Sequence, residues 1–128
     1  MDYYFSKTLE VTFDDAVTRA IEELKKEGFG ILTEIDVKET LKKKLNVDLR
    51  KYKILGACNP PFAYRALQVE DKIGLMLPCN VVIQETPAGK IEVAAIDPVS
   101  SMQAVKNQDL KNVAEQIQAK LRRVIDNL

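Results

Sequence analysis

The stretch CNVVIQETPAGKIEVAAI, residues 79–96, decides the fold of this chain. From Cys79 to Ile83 an apolar side chain recurs at every second position, which is the period of a strand with one buried face. Thr86-Pro87-Ala88-Gly89 supplies turn chemistry, and the chain from Lys90 onward returns as the partner strand. The pattern therefore predicts a β-hairpin and favours an antiparallel sheet.

The flanking sequence predicts further strands and two long helices. Strands are expected near residues 2–10, 29–35, 52–58, 79–86 and 90–97. The segments near 13–27 and 109–127 repeat apolar residues at helical spacing, so each presents one apolar face. One sheet covered on one side by two helices satisfies both patterns. We expect a two-layer α+β fold, with a mostly antiparallel sheet of about five strands, two main helices on one face, small extra helices, and a single domain over residues 1–128.

Short motifs mark the helix ends. Thr12 stands three positions before Asp15, as an N-cap residue does, and Gly28 ends the same helix in a left-handed conformation. Asn59-Pro60-Pro61 predicts another helix start. Because a residue before proline avoids the α region, Asn59 and Pro60 are expected to be extended, with Pro61 as the first helical residue.

Charge and composition bound the kinds of partner. The chain has 128 residues, with 19 basic and 19 acidic side chains, so its formal net charge is zero. A neutral chain gives no electrostatic reason to expect nucleic acid or an anionic membrane as a partner. The N-terminal residues do not resemble a signal peptide, and no apolar run approaches the ~20 residues that span a bilayer. We expect a cytoplasmic protein with reduced thiols and no nucleic-acid or membrane partner.

The sequence contains no histidine. This excludes Ser-His-Asp triads, Cys-His pairs and every metal site with an imidazole ligand. Any acid–base chemistry would therefore have to use carboxylate, thiol, Lys or Tyr groups. No catalytic constellation is recognisable, so the sequence leaves open whether the protein is an enzyme and names no cofactor.

Both cysteines occur in the same dipeptide, as Cys58-Asn59 and Cys79-Asn80, each at the end of a predicted strand with proline close by. If the two strands are neighbours, the thiols approach one another. Free cysteine is among the most buried residue types, so a core role is one interpretation. Cys58 also precedes a helix start, where a thiolate is favoured, although Pro61 offers no N–H there. A structural zinc site normally has four side-chain ligands, so carboxylates would have to complete a site with only two thiols. Without C-x-x-C spacing, the signal for a metal site is weak.

Two charged residues are candidate companions of these dipeptides. Glu34 lies two positions before Asp36, so the two carboxylates share one face of the strand, an arrangement that can bind a metal or act as acid and base. Asp36 is also expected to cap a helix, and a solvated strand face explains Glu34 equally well. Arg65, in a short helix among apolar neighbours, either reaches an anion or rests its stem on the core. The candidate ligand-binding residues are therefore Glu34, Cys58, Asn59, Arg65, Cys79 and Asn80.

Five segments together resemble the family called domain of unknown function 302. They are Gly28-Phe29-Gly30, Glu34-Ile35-Asp36-Val37, Leu55-Gly56-Ala57-Cys58-Asn59-Pro60, Leu77-Pro78-Cys79-Asn80-Val81 and Asp97-Pro98. The resemblance covers nearly the whole chain. It implies a two-layer fold similar to the repeat of the TATA-box-binding protein, and a homodimer. It implies no activity, substrate or cofactor, and the likeness to a DNA-binding protein lies in the fold alone.

Three hypotheses for function remain open. The first is a ligand-binding or regulatory module, with a small molecule held on the sheet or in a dimer groove edged by the six candidate residues. The second is a thiol-redox or metal-dependent protein that uses Cys58 and Cys79. The third is a homodimeric interaction domain without a ligand. Thiols within disulfide reach would favour the second hypothesis, and a convergent polar cluster in a cleft the first.

Overall fold

The computed structural model describes residues 2–128, so Met1, the first residue of the predicted domain, lies outside the described residues. In chain order the elements are β1 Tyr4–Leu9, α1 Phe13–Lys26, β2 Gly30–Asp36, α2 Val37–Leu45, β3 Tyr52–Cys58, α3 Pro60–Val69, a 3₁₀ turn Ile73–Met76, β4 Cys79–Glu85, β5 Ile91–Ile96, α4 Pro98–Ser101 and α5 Gln108–Asp126. The strands form one antiparallel sheet in the order β1-β5-β4-β3-β2. The strands joined by α1 therefore lie at opposite edges of the sheet.

Local capping explains where α1 begins and ends. The side chain of Thr12 accepts a hydrogen bond from the backbone N–H of Asp15 at 3.1 Å, which satisfies one of the free donors of the first turn. Gly28 adopts a φ of +88°, which a residue with a side chain rarely reaches. Both features confirm the helix bounds expected from the sequence.

The core lies between the sheet and the apolar faces of α1 and α5. Helix α1 buries Ala16, Ala20 and Leu24. The buried strand residues alternate along each strand, as Leu55, Val81, Ile83, Val93 and Ala95 show. Each large aliphatic side chain buried in this layer contributes about 1.5–3 kcal/mol. The two-layer α+β fold, with its two main helices on one face, is confirmed.

Helix α3 begins one residue earlier than the sequence predicts. Asn59 is extended as expected, with φ −105° and ψ 99°. Pro60 is already helical, however, so the prediction that it is extended is wrong. The first intrahelical bond runs from the N–H of Ala63 to the carbonyl oxygen of Asn59 at 2.9 Å. Both proline rings therefore occupy the first turn, where no backbone N–H is required.

A β-bulge interrupts the edge strand β2. Ile31 pairs with Ala57 and Thr33 with Gly56, so Leu32 is an extra residue without a partner on β3. A Cβ atom on Gly56 would collide with the hydroxyl oxygen of Thr33 and lie 2.9 Å from Cγ of Pro78. The side chains of these two neighbours thus occupy the space above Gly56, and only glycine fits there.

Candidate functional site

A small cavity lies where β3 ends and β4 begins, and both cysteines line it. Ala57, the residue before Cys58, pairs with Cys79 across the two strands, so the strands are neighbours. We call this space the cysteine cavity; its volume is about 20 Å³, room for one water molecule and for no metabolite. The rest of its lining is mostly apolar and consists of Phe29, Ala57, Asn59, Ala63, Ala66, Leu77, Pro78, Met102, Leu110, Val113 and Ile117.

The two thiols differ in exposure, and the buried thiol has a raised pKa. Cys79 is buried, whereas Cys58 is partly exposed. Burial raises the pKa of the Cys79 thiol to about 11, and the charge of Cys58 adds to this shift. At neutral pH Cys79 therefore keeps its proton, and it is a poor nucleophile.

Asn59 connects two helices beside this cavity. Its side-chain amide donates a hydrogen bond to the carbonyl oxygen of Glu27 at 3.0 Å, at the C-terminal end of α1. Only 7% of Asn59 is exposed. A Cβ atom on Gly28 would lie 3.2 Å from the same amide nitrogen. The position of Asn59 is therefore explained by packing and hydrogen bonding within the fold.

The two charged candidates lie apart from the cysteine cavity, each with a partner of its own. Glu34 forms an ion pair with Lys53, with 2.8 Å between Oε1 and Nζ. The guanidinium carbon of Arg65 lies 4.5 Å from the ring centroid of Phe62, which is a cation–π contact. Neither side chain lines the cavity.

Asn80 lies on the opposite side of the sheet from Cys79, because successive residues of a strand point to opposite faces. Cys79 is buried beneath the helices, and Asn80 is exposed. The structure therefore brings Cys58, Asn59 and Cys79 together around one cavity and places Glu34, Arg65 and Asn80 elsewhere. Of the four residues in the two Cys-Asn dipeptides, only Asn80 does not line this cavity.

The sheet face that carries Asn80 is the face turned away from α1 and α5, and we call it the open face. Its side chains form three rows that cross the strands in the order β1, β5, β4, β3, β2, and the third row ends at β3. The first row is Tyr4, Ile96, Asn80, Gly56 and Thr33; the middle row is Ser6, Ala94, Val82, Ile54 and Ile35; and the third row is Thr8, Glu92, Gln84 and Tyr52.

The open face is apolar along its middle row. Val82, Ile54 and Ala94 are partly exposed there, and Ile35 is 45% exposed. A groove of about 340 Å³ crosses this face. It is lined by Tyr3, Tyr4, Tyr52, Asn80, Val82, Gln84, Glu92, Ala94, Ala95 and Ile96.

A chain of polar contacts runs along the third row. Nε of Arg50 donates to the amide oxygen of Gln84 at 3.0 Å, and the amide nitrogen of Gln84 donates to Glu92 at 3.2 Å. The guanidinium carbon of Arg50 also lies 5.4 Å from the ring centroid of Tyr52. The row thus carries one positive and one negative charge in fixed positions.

Sequence reasoning missed the open face as a candidate site, although a signal for it is present. The strand segments Val81-Val82-Ile83 and Ala94-Ala95-Ile96 are unbroken apolar runs, as is Ile54-Leu55. Such runs place apolar side chains on both faces of a sheet and are typical of strands buried on both sides. The alternation of Cys79, Val81 and Ile83 in β4 predicts only the buried face of that strand.

Metal-binding clusters and membrane-spanning helices are two further features to consider in the residues that the structure describes. Within residues 2–128, no group of three or more Cys, Asp or Glu side chains is arranged to hold a metal ion. Over the same range, every helix is too short or too polar to cross a bilayer.

Comparisons with known proteins agree with the resemblance expected from the motifs. The family model described as "Domain of unknown function DUF302" matches residues 5–128. A crystal structure of an uncharacterized conserved protein DUF302 from Bacillus stearothermophilus is similar to this chain, with 28% sequence identity, a TM-score of 0.91 and coverage of 98% of each chain. No curated protein matches the chain.

Proposed function

The chain belongs to the DUF302 family of domains of unknown function, and we propose that it is a single-domain, cytoplasmic binding module that acts as a homodimer through its open face. The observation that carries this proposal is the partly exposed apolar middle row. The solvent-facing side of an antiparallel sheet is ordinarily polar, and an exposed apolar patch indicates an interaction surface. We propose that the occupant of this surface is a second copy of the chain.

The middle row is complementary to itself. Its side chains increase in size from Ser6 on β1 to Ile35 on β2. A two-fold axis parallel to the strands and passing over β4 would place the edge of one copy over the opposite edge of the other. Ala94 would then meet Ile54 of the second copy, and Val82 would meet its own equivalent. Small side chains would thus lie against large ones, as a well-packed interface requires.

The first row supports the same axis at its ends. Tyr4 and Ile96 lie on the β1 side, whereas Gly56 and Thr33 lie on the β2 side. The axis would place the large Tyr4 of one copy over the small Thr33 of the other. Ile96 would lie over Gly56, where it would pack on the side chains of Thr33 and Pro78 that cover this glycine.

Charge supports this arrangement as well. Glu92 lies on β5, and the guanidinium of Arg50 lies near Tyr52 on β3. Because β5 and β3 flank β4, the axis would bring Glu92 of each copy toward Arg50 of the other. The chain has a formal net charge of zero, so two copies do not repel each other at long range.

Sedimentation equilibrium tests the proposal with the variant Val82→Lys. We expect the wild-type protein to have about twice the mass of one 14.4 kDa chain, and Val82→Lys to have the mass of one, because the two-fold axis would bring two ammonium groups together. Leu75→Lys is the matched control, since Leu75 lies in the 3₁₀ turn and is 86% exposed. A monomeric wild-type protein, or a Val82→Lys variant as dimeric as Leu75→Lys, would contradict the proposal.

Charge reversal tests the orientation of the two copies. Glu92→Arg alone and Arg50→Glu alone are each expected to weaken the dimer, because each places like charges opposite one another. The double variant is expected to restore it. Failure of the double variant to associate better than either single variant would exclude the proposed axis.

A second candidate function is a thiol–disulfide switch, favoured by the position of both cysteines on one cavity. In this candidate, hydrogen peroxide oxidises the Cys58 thiol to a sulfenic acid and releases water. Cys79 is buried and protonated at neutral pH, so the second step requires a local opening that exposes its thiol. That thiol then loses its proton and condenses with the sulfenic acid, forming the disulfide and releasing a second water. Intact mass after peroxide treatment tests it: loss of two hydrogen atoms supports the switch, and stepwise gain of oxygen excludes it. The variant Cys58→Ser cannot form the disulfide, so we expect its mass to show no loss of two hydrogen atoms.

Four of the six residues proposed from the sequence divide between these two candidate functions. Asn80 belongs to the open face, at the centre of its first row. Cys58, Cys79 and Asn59 belong to the cysteine cavity. Glu34 and Arg65 take part in neither candidate, since each is engaged by a neighbour.

A further inference from the structure

A groove of about 480 Å³ lies between the segment after α4 and the N-terminal half of α5, away from the open face. It shares two lining residues, Met102 and Leu110, with the cysteine cavity. Its volume falls within the range of about 300–1,000 Å³ that is usual for small-molecule sites. We call it the α4–α5 groove. It is lined by Val99, Met102, Gln103, Val105, Lys106, Asn107, Gln108, Leu110, Lys111 and Ala114.

The lining divides into an apolar part and a polar part. Met102, Leu110 and Ala114 are buried and, with the half-buried Val99 and Val105, supply the apolar part. The ammonium groups come from exposed lysines at the rim, and the amide groups come from the exposed Gln103 and Gln108 and from the half-buried Asn107. An apolar surface with a few polar groups on one side suits a ligand that has an apolar body and a polar end.

Two lysines without partners supply the charge. Lys106 precedes α5, and Lys111 lies in its first turns; both are exposed. Throughout residues 2–128, neither ammonium group lies within 4.0 Å of a carboxylate oxygen. The groove therefore carries two ammonium groups that no carboxylate of the described residues contacts directly, with the exposed Asp109 between them in the sequence.

The N-terminus of α5 does not add an anion site of its own. The side-chain oxygen of Asn107 accepts hydrogen bonds from the N–H groups of Asp109 at 3.0 Å and Leu110 at 3.2 Å. The amide nitrogen of Asn107 donates to the carbonyl oxygen of Val69 at 2.7 Å, which fixes the cap in place. A bound anion would therefore be held by the two lysines.

We propose that the α4–α5 groove binds a small amphiphilic anion, with its apolar body on the buried floor and its carboxylate between Lys106 and Lys111. Hydrogen bonds between an ammonium group and a carboxylate are charge-assisted and roughly twice as strong as neutral ones. The proposal does not rest on dimerisation, because the groove and the open face share no residue.

Calorimetric titration with octanoate and with octan-1-ol tests the proposal, because these probes share an apolar chain and differ in charge. We expect the wild-type protein to bind octanoate about tenfold more tightly than octan-1-ol. The double variant Lys106→Gln, Lys111→Gln is expected to lose this preference. Lys44→Gln, which removes a charge from an exposed position on α2, is expected to keep it.

Three results would overturn the proposal. The first is that octanoate does not bind the wild-type protein saturably. The others are that the double variant binds octanoate as the wild type does, or that Lys44→Gln loses the preference for octanoate to the same extent. Amide chemical shifts give a second measurement, and we expect octanoate to perturb residues 99–114. Perturbation confined to the open face would place the ligand elsewhere. Val82→Lys is expected to bind octanoate normally, so the dimer and the groove can fail independently.

Discussion

Asn59 at the start of α3 is hydrogen-bonded to Glu27 at the end of α1, with 3.0 Å between the side-chain nitrogen and the carbonyl oxygen. The last carbonyl groups of a helix have no partner within the helix. Here one of them is satisfied by a residue 32 positions later in the chain. The bond therefore ties α1 to the end of β3, next to the cysteine cavity.

The first prediction is that Asn59→Ala lowers the free energy of unfolding by about 1–3 kcal/mol, because it leaves a partly buried carbonyl group without its donor. Equilibrium urea unfolding measures this change. Asn80→Ala is the matched control from the other Cys-Asn dipeptide. Both substitutions are compared in the Val82→Lys background, where the open face is expected to be uncovered, and there the exposed side chain of Asn80 predicts a change within about 0.5 kcal/mol. Equal effects of the two substitutions would contradict the prediction.

The second prediction concerns the pH dependence of stability. The pKa of Cys79 is about 11 in the folded protein, against an ordinary value of 9.0. Between these values the folded state keeps a proton that the unfolded state releases, so stability is fully present below about pH 9 and decreases as the pH rises through about 11. Relative to Cys79→Ala, the wild-type protein is expected to lose about 2 kcal/mol between pH 8 and pH 10.5.

Unfolding free energies of the wild-type protein and Cys79→Ala at both pH values give this difference directly. The comparison cancels the titration of lysines and tyrosines, which both proteins share. Cys58→Ala is the control and is expected to keep most of the dependence, because burial is the main cause of the shift. A constant difference between wild type and Cys79→Ala at the two pH values would refute the assignment.

The third prediction is that the two thiols react at different rates. A water-soluble disulfide reagent is expected to label Cys58 quickly in the native protein, because its side chain is partly exposed. Cys79 is expected to react only at the rate of unfolding, because it is buried and protonated at neutral pH. Labelling of Cys58→Ser and Cys79→Ser separates the two rates. Fast labelling of Cys58→Ser would show that Cys79 is accessible.

The fourth prediction is that Gly56→Ala destabilises the protein by about 1–3 kcal/mol, the usual cost of forcing extra atoms into a packed site. The added methyl group would meet Thr33 and Pro78, and Thr33 sits beside the bulge in β2. Gly30→Ala is the matched control on the neighbouring strand, because a Cβ there has nothing within 4 Å. Thermal unfolding of both variants measures the contrast, and a smaller loss for Gly56→Ala than for Gly30→Ala would be inconsistent with the packing described.

Much of the fold could be predicted because its signals are local. The hairpin of β4 and β5 follows from alternation and from the turn at 86–89, and the bounds of α1 follow from Thr12 and Gly28. The start of α3 at Pro60 could not be predicted in this way. The local rule is that a residue before proline avoids the α region, and Pro60 precedes Pro61. In the folded helix, however, the first turn accommodates both proline rings.

The candidate site was predicted less completely, because it depends on distant pairings. The neighbourhood of the two cysteines follows once β3 and β4 are known to pair, and the separation of Asn80 from Cys79 follows from the period of a strand. The partners of the charged candidates do not follow from any local pattern. Lys53 reaches Glu34 from another strand, and only the assembled sheet shows this.

The place of β1 in the sheet has a consequence for the order in which the chain folds. The other four strands occur in the sheet in their order along the chain, so each has a sequence neighbour beside it. β1 instead pairs Tyr4 with Ile96, and Lys7 donates to the carbonyl oxygen of Leu128 at 2.7 Å. Such long loops are the costliest in entropy to close. During synthesis β1 therefore emerges well before β5, the strand with which it pairs, and it can enter the sheet only after β5 has left the ribosome.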